Sequence, residues 1–179
     1  LSAHPWSGHP FFLLPGKFIW NFGYSSDKIN AINRKLPDVH WDILVNFSDD
    51  MRFTLPGFDM IIRRAFDGHG LDSFLHFPDQ DTGDALCTMT IEGKPYYNRD
   101  GYIYHPSYKS LWCDNEAPEK AKMRQKYHFI NVRLSDHLLP AMGHLRRDAQ
   151  FDYQQNFWEI DYRNYLTRKE FYFGLPCSI

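Results

Sequence analysis

Apolar positions along this chain recur with two different spacings, and the switches between them mark the predicted elements. ILVNF (43–47) is apolar at four of its five positions, the pattern of a buried strand. KFIWNFG (17–23) has the same character and ends at Gly23 and a polar SSD, which predicts a second strand. Between the two, Lys28, Ile29, Ala31, Ile32 and Leu36 fall at helical spacing, with Ser26 or Asp27 as cap and Pro37 as terminator. Strand, helix and strand in that order predict a βαβ unit, and hence a parallel sheet covered by helices.

Downstream, Phe58, Ile61, Ile62, Ala65 and Phe66 predict an amphipathic helix stopped by Gly68 and Gly70. LDSFLHF (71–77) and ALCTMTI (85–91) predict strands on either side of the acidic loop PDQDTGD (78–84). EAPEKAKMRQK (116–126) predicts a helix with Pro118 in its first turn, and HFINVRL (128–134) a late strand. The aromatic FDYQQNFWEIDYRNYLTRKEFYFG predicts one helix or two, while residues 1–16, rich in Pro, Gly and His, predict loop. No repeat, linker or low-complexity tract divides the chain, so the expectation is one α/β domain over residues 1–179.

Composition narrows the function classes. Apolar residues make up 43% and the net charge is −2 without a long run of one sign, which speaks for a globular core and against a general nucleic-acid binder. No window approaches 18 uninterrupted apolar residues, so no transmembrane helix is expected. Cys87, Cys113 and Cys177 are odd in number and widely spaced, which fits a reducing compartment or plain core thiols. The chain opens on Leu1 in what reads as mid-protein sequence, so the domain is expected to be incomplete at its amino end.

Four stretches carry candidate chemistry. In NFSDDM the strand ends in Asp49 and Asp50, two adjacent carboxylates that repel. Beyond the carboxyl end of a strand they are placed to meet Mg²⁺ or Mn²⁺ and a phosphate, whose cation relieves that repulsion; otherwise they begin a solvated turn. In SLWCDNE (110–116), Asp114 and Glu116 either cap and charge a helix start or act as a general base partly desolvated beside Trp112 and Cys113. In SDHLLPAMGH (135–144), His137 follows a strand and is a candidate third ligand for a borderline metal, or a structural histidine. YYNRDGYIYHPSY either stacks a sugar or base, or forms a packed aromatic layer. Dinucleotide, P-loop, zincin and serine-hydrolase motifs are missing from the sequence.

In order and spacing these segments resemble a family 2 type glycosyltransferase of the GT-A fold, in a bacterial and phage-like branch. KINAIN (28–33) resembles the helix before the family's metal strand, WDILVNFSDDM its DxD-type motif, and LPGFDMII the segment that follows. GYIYHPSYKSLWCDNE resembles the acceptor-side loop with the catalytic acid, and DHLLPAMG the carboxyl-terminal histidine segment. The likeness runs from about residue 17 to residue 174. It departs from the pattern at Phe47, where a stricter motif has an acid, and at Leu139, where relatives often have a second histidine. The family's first βαβ segment, which builds the base pocket, is not recognisable ahead of residue 17.

The resemblance implies a Rossmann-like open mixed sheet, mostly parallel and flanked by helices. It implies a nucleotide-sugar donor held through its diphosphate on Mn²⁺ or Mg²⁺, and transfer to a glycan or other hydroxyl acceptor with inversion. Asp49 and Asp50 would anchor metal and ribose, with His137 as a further metal or phosphate contact. Asp114 would be the base and Glu116 the fallback. Lys28 would lie near the nucleotide, with Ser25 and Asn33 equally placed. A cytoplasmic location, or one peripheral to a membrane, goes with that chemistry. The alternatives are a non-catalytic GT-A-like glycan-binding or structural protein, and a metal-dependent hydrolase using Asp49, Asp50 and His137.

Overall fold

The computed structural model describes residues 23–34, 40–138 and 140–176. The predicted strand at 17–23 therefore lies outside the described residues except for Gly23, which is in no strand, and so do Pro37, Leu139 and Cys177. Among the described residues the elements run α1 (Lys28–Ile32), β1 (Ile43–Val45), β2 (Met51–Phe53), α2 (Phe58–His69), β3 (Phe74–His76) and β4 (Ile91–Gly93). They continue with α3 (Lys94–Tyr97), α4 (Cys113–Met123), β5 (Tyr127–Phe129), β6 (Ser135–His137), α5 (Ala149–Gln155) and α6 (Trp158–Glu170). One 3₁₀ turn follows β6 (Pro140–Met142) and another follows α6 (Tyr172–Gly174).

The class is α/β with a mixed sheet flanked by helices. The four-stranded sheet has the order β1-β4-β3-β5. Here the expectation of a mostly parallel sheet is corrected: β1–β4 and β4–β3 pair antiparallel, and only β3–β5 is parallel. The physical reason lies in the connections. The run 85–91 becomes strand only at Ile91, and the chain returns from β3 through the turn-rich segment 77–90 without a crossover helix, so β4 runs back against β3. Only α4 provides the covered crossover, from β4 to β5, that a parallel neighbour of β3 requires.

Pleating divides β3 between two cores. Leu75 points to the α2 side, where it packs with Ile62, Phe66, Ile91 and Leu134. Phe74 points the other way, among Tyr96, Cys87 and Ala121 of α4, and His76 shares that face. Gly70 (φ 80°) stops α2, as the sequence pattern predicts, whereas Gly68, also expected to stop it, lies within the helix. Gly93 is needed at the end of β4 because a Cβ there would lie 1.9 Å from the Leu71 carbonyl oxygen. A third group, Ile29, Tyr104, Tyr108, Cys113, Tyr165 and Phe173, joins α1, α4 and α6. Tyr96, Tyr104 and Tyr108 of the aromatic stretch are thus packed in the interior.

Glu92 is an oddity of the second face. It is 3% exposed, and its Oε1 has no hydrogen-bond partner. Burial, reinforced by the charge of Asp100 and opposed by Arg124 and Lys120, pushes its carboxyl up to about 8 from an ordinary 4.5. The folded state therefore retains a proton that the unfolded chain has lost. The contribution of Glu92 to stability is complete below the ordinary carboxylate range and is lost as pH rises through about 8. Glu92→Gln, neutral at every pH, is expected to melt progressively higher than wild type as pH rises from acid to mildly alkaline. Melting curves across that range check it, and a difference independent of pH would contradict it.

Candidate functional site

The turn 48–51 carries the acidic pair between β1 and β2. The Met51 amide donates to the Ser48 carbonyl at 3.1 Å, and the chain enters β2 at once. The strand predicted through Phe47 ends earlier, at Val45. Phe47 is exposed and stacks on Phe53, which stacks on Phe58, with ring centroids 4.6 and 3.7 Å apart. β2 pairs antiparallel with β6 in the register Met51↔His137, and the Leu138 amide donates to the Asp50 carbonyl at 2.8 Å. This two-stranded ladder brings the acidic turn and the histidine segment together from distant parts of the chain. His137 Nε2 lies 3.3 Å from Asp50 Oδ2.

Asp50 and Asp49 differ sharply. The His137 imidazole, with help from the Ser48 hydroxyl against the cost of partial burial, holds the Asp50 carboxyl at about 2. Asp49 is solvent-exposed at the tip of the turn, and it is Asp50 that meets the histidine. His137 itself is held from behind. Gln80 accepts from its amide at 2.8 Å and donates to its carbonyl at 2.5 Å, acting as a short surrogate strand. The buried Nδ1 of His137 has no hydrogen-bond partner, and Asp79 Oδ2 lies behind it at 3.9 Å.

Asp79 organises the loop 79–88. Its Oδ1 accepts from the Asp81 and Thr82 amides at 2.9 and 2.7 Å and from the Thr82 hydroxyl; Oδ2 accepts from the Thr88 hydroxyl at 2.9 Å. Burial alone would raise this carboxyl, but those donors more than offset it and keep it ionised. Neither Asp79 nor Gln80 is a candidate from the sequence pattern. The one available signal was D-x-x-T in PDQDTGD, an aspartate followed at three residues by threonine, which is a side-chain-capped turn.

Asp114 stands at the start of α4 and does not cap it. The helix begins at Cys113 with Trp112 as its N-cap residue, which corrects both the start predicted at 116 and the first-turn placement of Pro118. Pro118 falls in the second turn, where it cannot donate to the Asp114 carbonyl. Trp112 adopts a left-handed backbone (φ 64°), unusual for a bulky residue, and its ring is gripped by Tyr162, Tyr165 and Trp158 at 4.5, 5.4 and 5.5 Å. This strained, over-packed corner aims the first turn of α4. Burial raises the Asp114 carboxyl above the ordinary aspartate range, opposed by the charge of Lys28, by the Asp114 and Asn115 amides and by His137. Lys28 and His137 thus both lie within electrostatic reach of Asp114.

Two predicted site residues have structural work instead. Glu116 is buried, clamped by Arg168 at 2.6 and 2.7 Å and by the Tyr108 hydroxyl at 2.8 Å, so it is no fallback base. The Asn33 side chain donates to the Tyr104 carbonyl at 2.5 Å and accepts from the Ile103 and Tyr104 amides at 3.0 and 3.1 Å, which pins the aromatic loop to α1. The Ser25 hydroxyl accepts from Arg34. Lys28 is exposed on α1, whose cap is Asp27 through the Asn30 amide at 2.7 Å.

Among the described residues no group of three or more His, Cys, Asp or Glu is arranged to hold a metal ion. The protein side of the site amounts to one carboxylate and one imidazole. That fits Mg²⁺ or Mn²⁺, which commonly take few protein ligands and complete their shell with substrate phosphates and water. No helix among the described residues is long and apolar enough to cross a membrane. Comparison with family models, with curated proteins and with solved structures finds no match.

Proposed function

We propose that the chain transfers a sugar from a nucleotide-sugar donor to an acceptor hydroxyl, with inversion, on a GT-A-like framework. The observation that carries this reading is the meeting of Asp50 with His137 across β2 and β6, with Asp114 in electrostatic reach of the same histidine. Asp50 and His137 would hold Mn²⁺ or Mg²⁺ against the donor diphosphate, with Asp49 on the solvent side. The cation supplies neutralisation of the negative charge that gathers on the leaving diphosphate.

The residues of the chain do the rest. Asp114, ionised, accepts the proton of the acceptor hydroxyl as the oxygen forms its bond to the anomeric carbon. The bond from that carbon to the diphosphate oxygen breaks, and its electron pair leaves with the nucleoside diphosphate. Attack opposite the leaving group inverts the centre. A raised Asp114 pKa suits a proton acceptor, because basicity rises with it. The charge of Lys28 favours the ionised form of Asp114. A cytoplasmic or membrane-peripheral location belongs to this reading, since that is where nucleotide sugars are at hand.

Addition of Mn²⁺ with a nucleoside diphosphate is expected to raise the melting temperature, and Asp50→Ala to abolish the increase. Stabilisation of about 2.7 kcal/mol corresponds to ligand at a hundredfold excess over its dissociation constant. A wild type that shows no shift with any of the common nucleoside diphosphates would sink the proposal.

A further inference from the structure

The acidic turn sits beside a stack of three aromatic rings. Phe47 comes from the segment between β1 and β2, Phe53 from β2, and Phe58 from the first turn of α2. Phe53 lies between the other two, with centroids 4.6 and 3.7 Å away and each pair within 7° of parallel. The Phe53 and Phe58 rings rest on the core around Met51, Ile62 and Leu134. Phe47 is 41% exposed with Phe53 against its ring, which leaves the stack open at its Phe47 end. The rings behind it fix its plane, and a fixed exposed plane is a platform for another flat group.

The platform lies close to Asp50 and His137. Phe47 precedes Asp50 by three residues, which holds their backbones within about 11 Å. The pairing of β2 with β6 gives a second tie. The register Met51↔His137 and Phe53↔Ser135 puts Phe53 and His137 on one face of the ladder. They are diagonal neighbours there, a separation of about 7–8 Å. An interval of that size is what a ribose bridges between a base and its diphosphate. The donor carries one flat aromatic group, its base, and every base has a face that can stack.

We propose that Phe47 is the stacking platform for the nucleobase of the donor, from which the diphosphate extends towards Asp50 and His137. This rests on the transfer reading above and adds the residue that holds the base. Stacking engages the face of the base and not its edge, so Phe47 contributes affinity for a nucleotide over bare diphosphate.

The test compares base-bearing with base-free ligands in calorimetric titrations of the whole protein. The ligands are uridine, guanosine and adenosine diphosphate and, separately, inorganic pyrophosphate, each with Mn²⁺. Wild type is expected to bind at least one of the nucleotides more tightly than pyrophosphate. Phe47→Leu still covers Phe53 with an apolar side chain but presents no plane. It should weaken that nucleotide by roughly 5- to 150-fold and leave pyrophosphate unchanged, which also shows the turn intact. Phe47→Trp, which restores a plane, should bind the nucleotide as wild type does. A nucleotide held no more tightly than pyrophosphate by wild type would overturn the proposal. So would equal weakening of both ligands in Phe47→Leu, no weakening of the nucleotide, or a Phe47→Trp as weak as Phe47→Leu. In each of those cases, pyrophosphate binding that Asp50→Ala abolishes keeps the donor site standing while the platform fails. If wild type binds neither pyrophosphate nor any of the nucleotides, the transfer reading itself has failed.

Discussion

Asp114→Asn is expected to lower the turnover of donor by about 10²–10⁴, the usual contribution of a positioned general base. The substitution keeps the shape of the side chain and removes its capacity to take a proton. Binding of the donor does not use Asp114, so the KM for donor should move little and the loss should fall on kcat. The wild-type rate carries a further signature. The base must be ionised to act, so the rate falls as pH drops through the Asp114 pKa. Because burial raises that pKa, the acid limb should lie above the ordinary aspartate value of 3.8. Release of nucleoside diphosphate measured against pH checks both statements. A variant that turns over at the wild-type rate would remove Asp114 as the base, and a wild type without turnover would leave a binding protein on this scaffold as the better account.

The second large effect concerns stability. Asp161 of α6 is 1% exposed and accepts from three consecutive backbone amides, Lys109 at 2.9 Å and Ser110 and Leu111 at 2.8 Å each. The carboxylate ties the segment before α4 to the last long helix and so supports the strained Trp112 corner. Asp161→Ala leaves three amide donors without their acceptor in a site closed to water. The expected cost is about 3–5 kcal/mol, since hydrogen bonds to a charged group are the strong ones and orphaned buried donors are costly. For a chain of this size that lowers the melting temperature by roughly 6–20 °C. Amide exchange at residues 109–111 should accelerate selectively. A loss below about 1 kcal/mol, the scale of an ordinary surface substitution, would show that the clamp contributes little.

The sequence pattern carried α2, α4, the two carboxyl-terminal helices and the cores of β1, β3 and β5, because each has a strong apolar period or a clear breaker. Asp50, Asp114 and His137 stand out in it because carboxylates and imidazoles at element ends are conspicuous, and the fold brings Asp50 and His137 together. The strand directions were not legible. Direction in a sheet is decided by the connection, and 85–90 has the composition of a strand while serving as an extended return to β4. The pairing of β2 with β6 was equally hidden. Each is three residues long, and their partnership is a long-range contact that no local period encodes. Glu116 and Asn33 looked like site residues because their types are chemical, yet Arg168, Tyr108 and the backbone at 103–104 use those groups up. Asp79, Gln80 and His76 are inconspicuous in the sequence for the opposite reason: an acidic loop and a strand histidine are common, and only the fold shows what surrounds them.

In the proposed transfer site, Asp50 and His137 together would hold the metal–diphosphate end. Paramagnetic broadening by Mn²⁺, recorded residue by residue with a nucleoside diphosphate present, tests it most directly. Broadening is expected to centre on Asp50 and His137, to fall off through Asp49, Asp79 and Asp114, and to be lost in His137→Ala. Broadening centred elsewhere, or none at all, would contradict it.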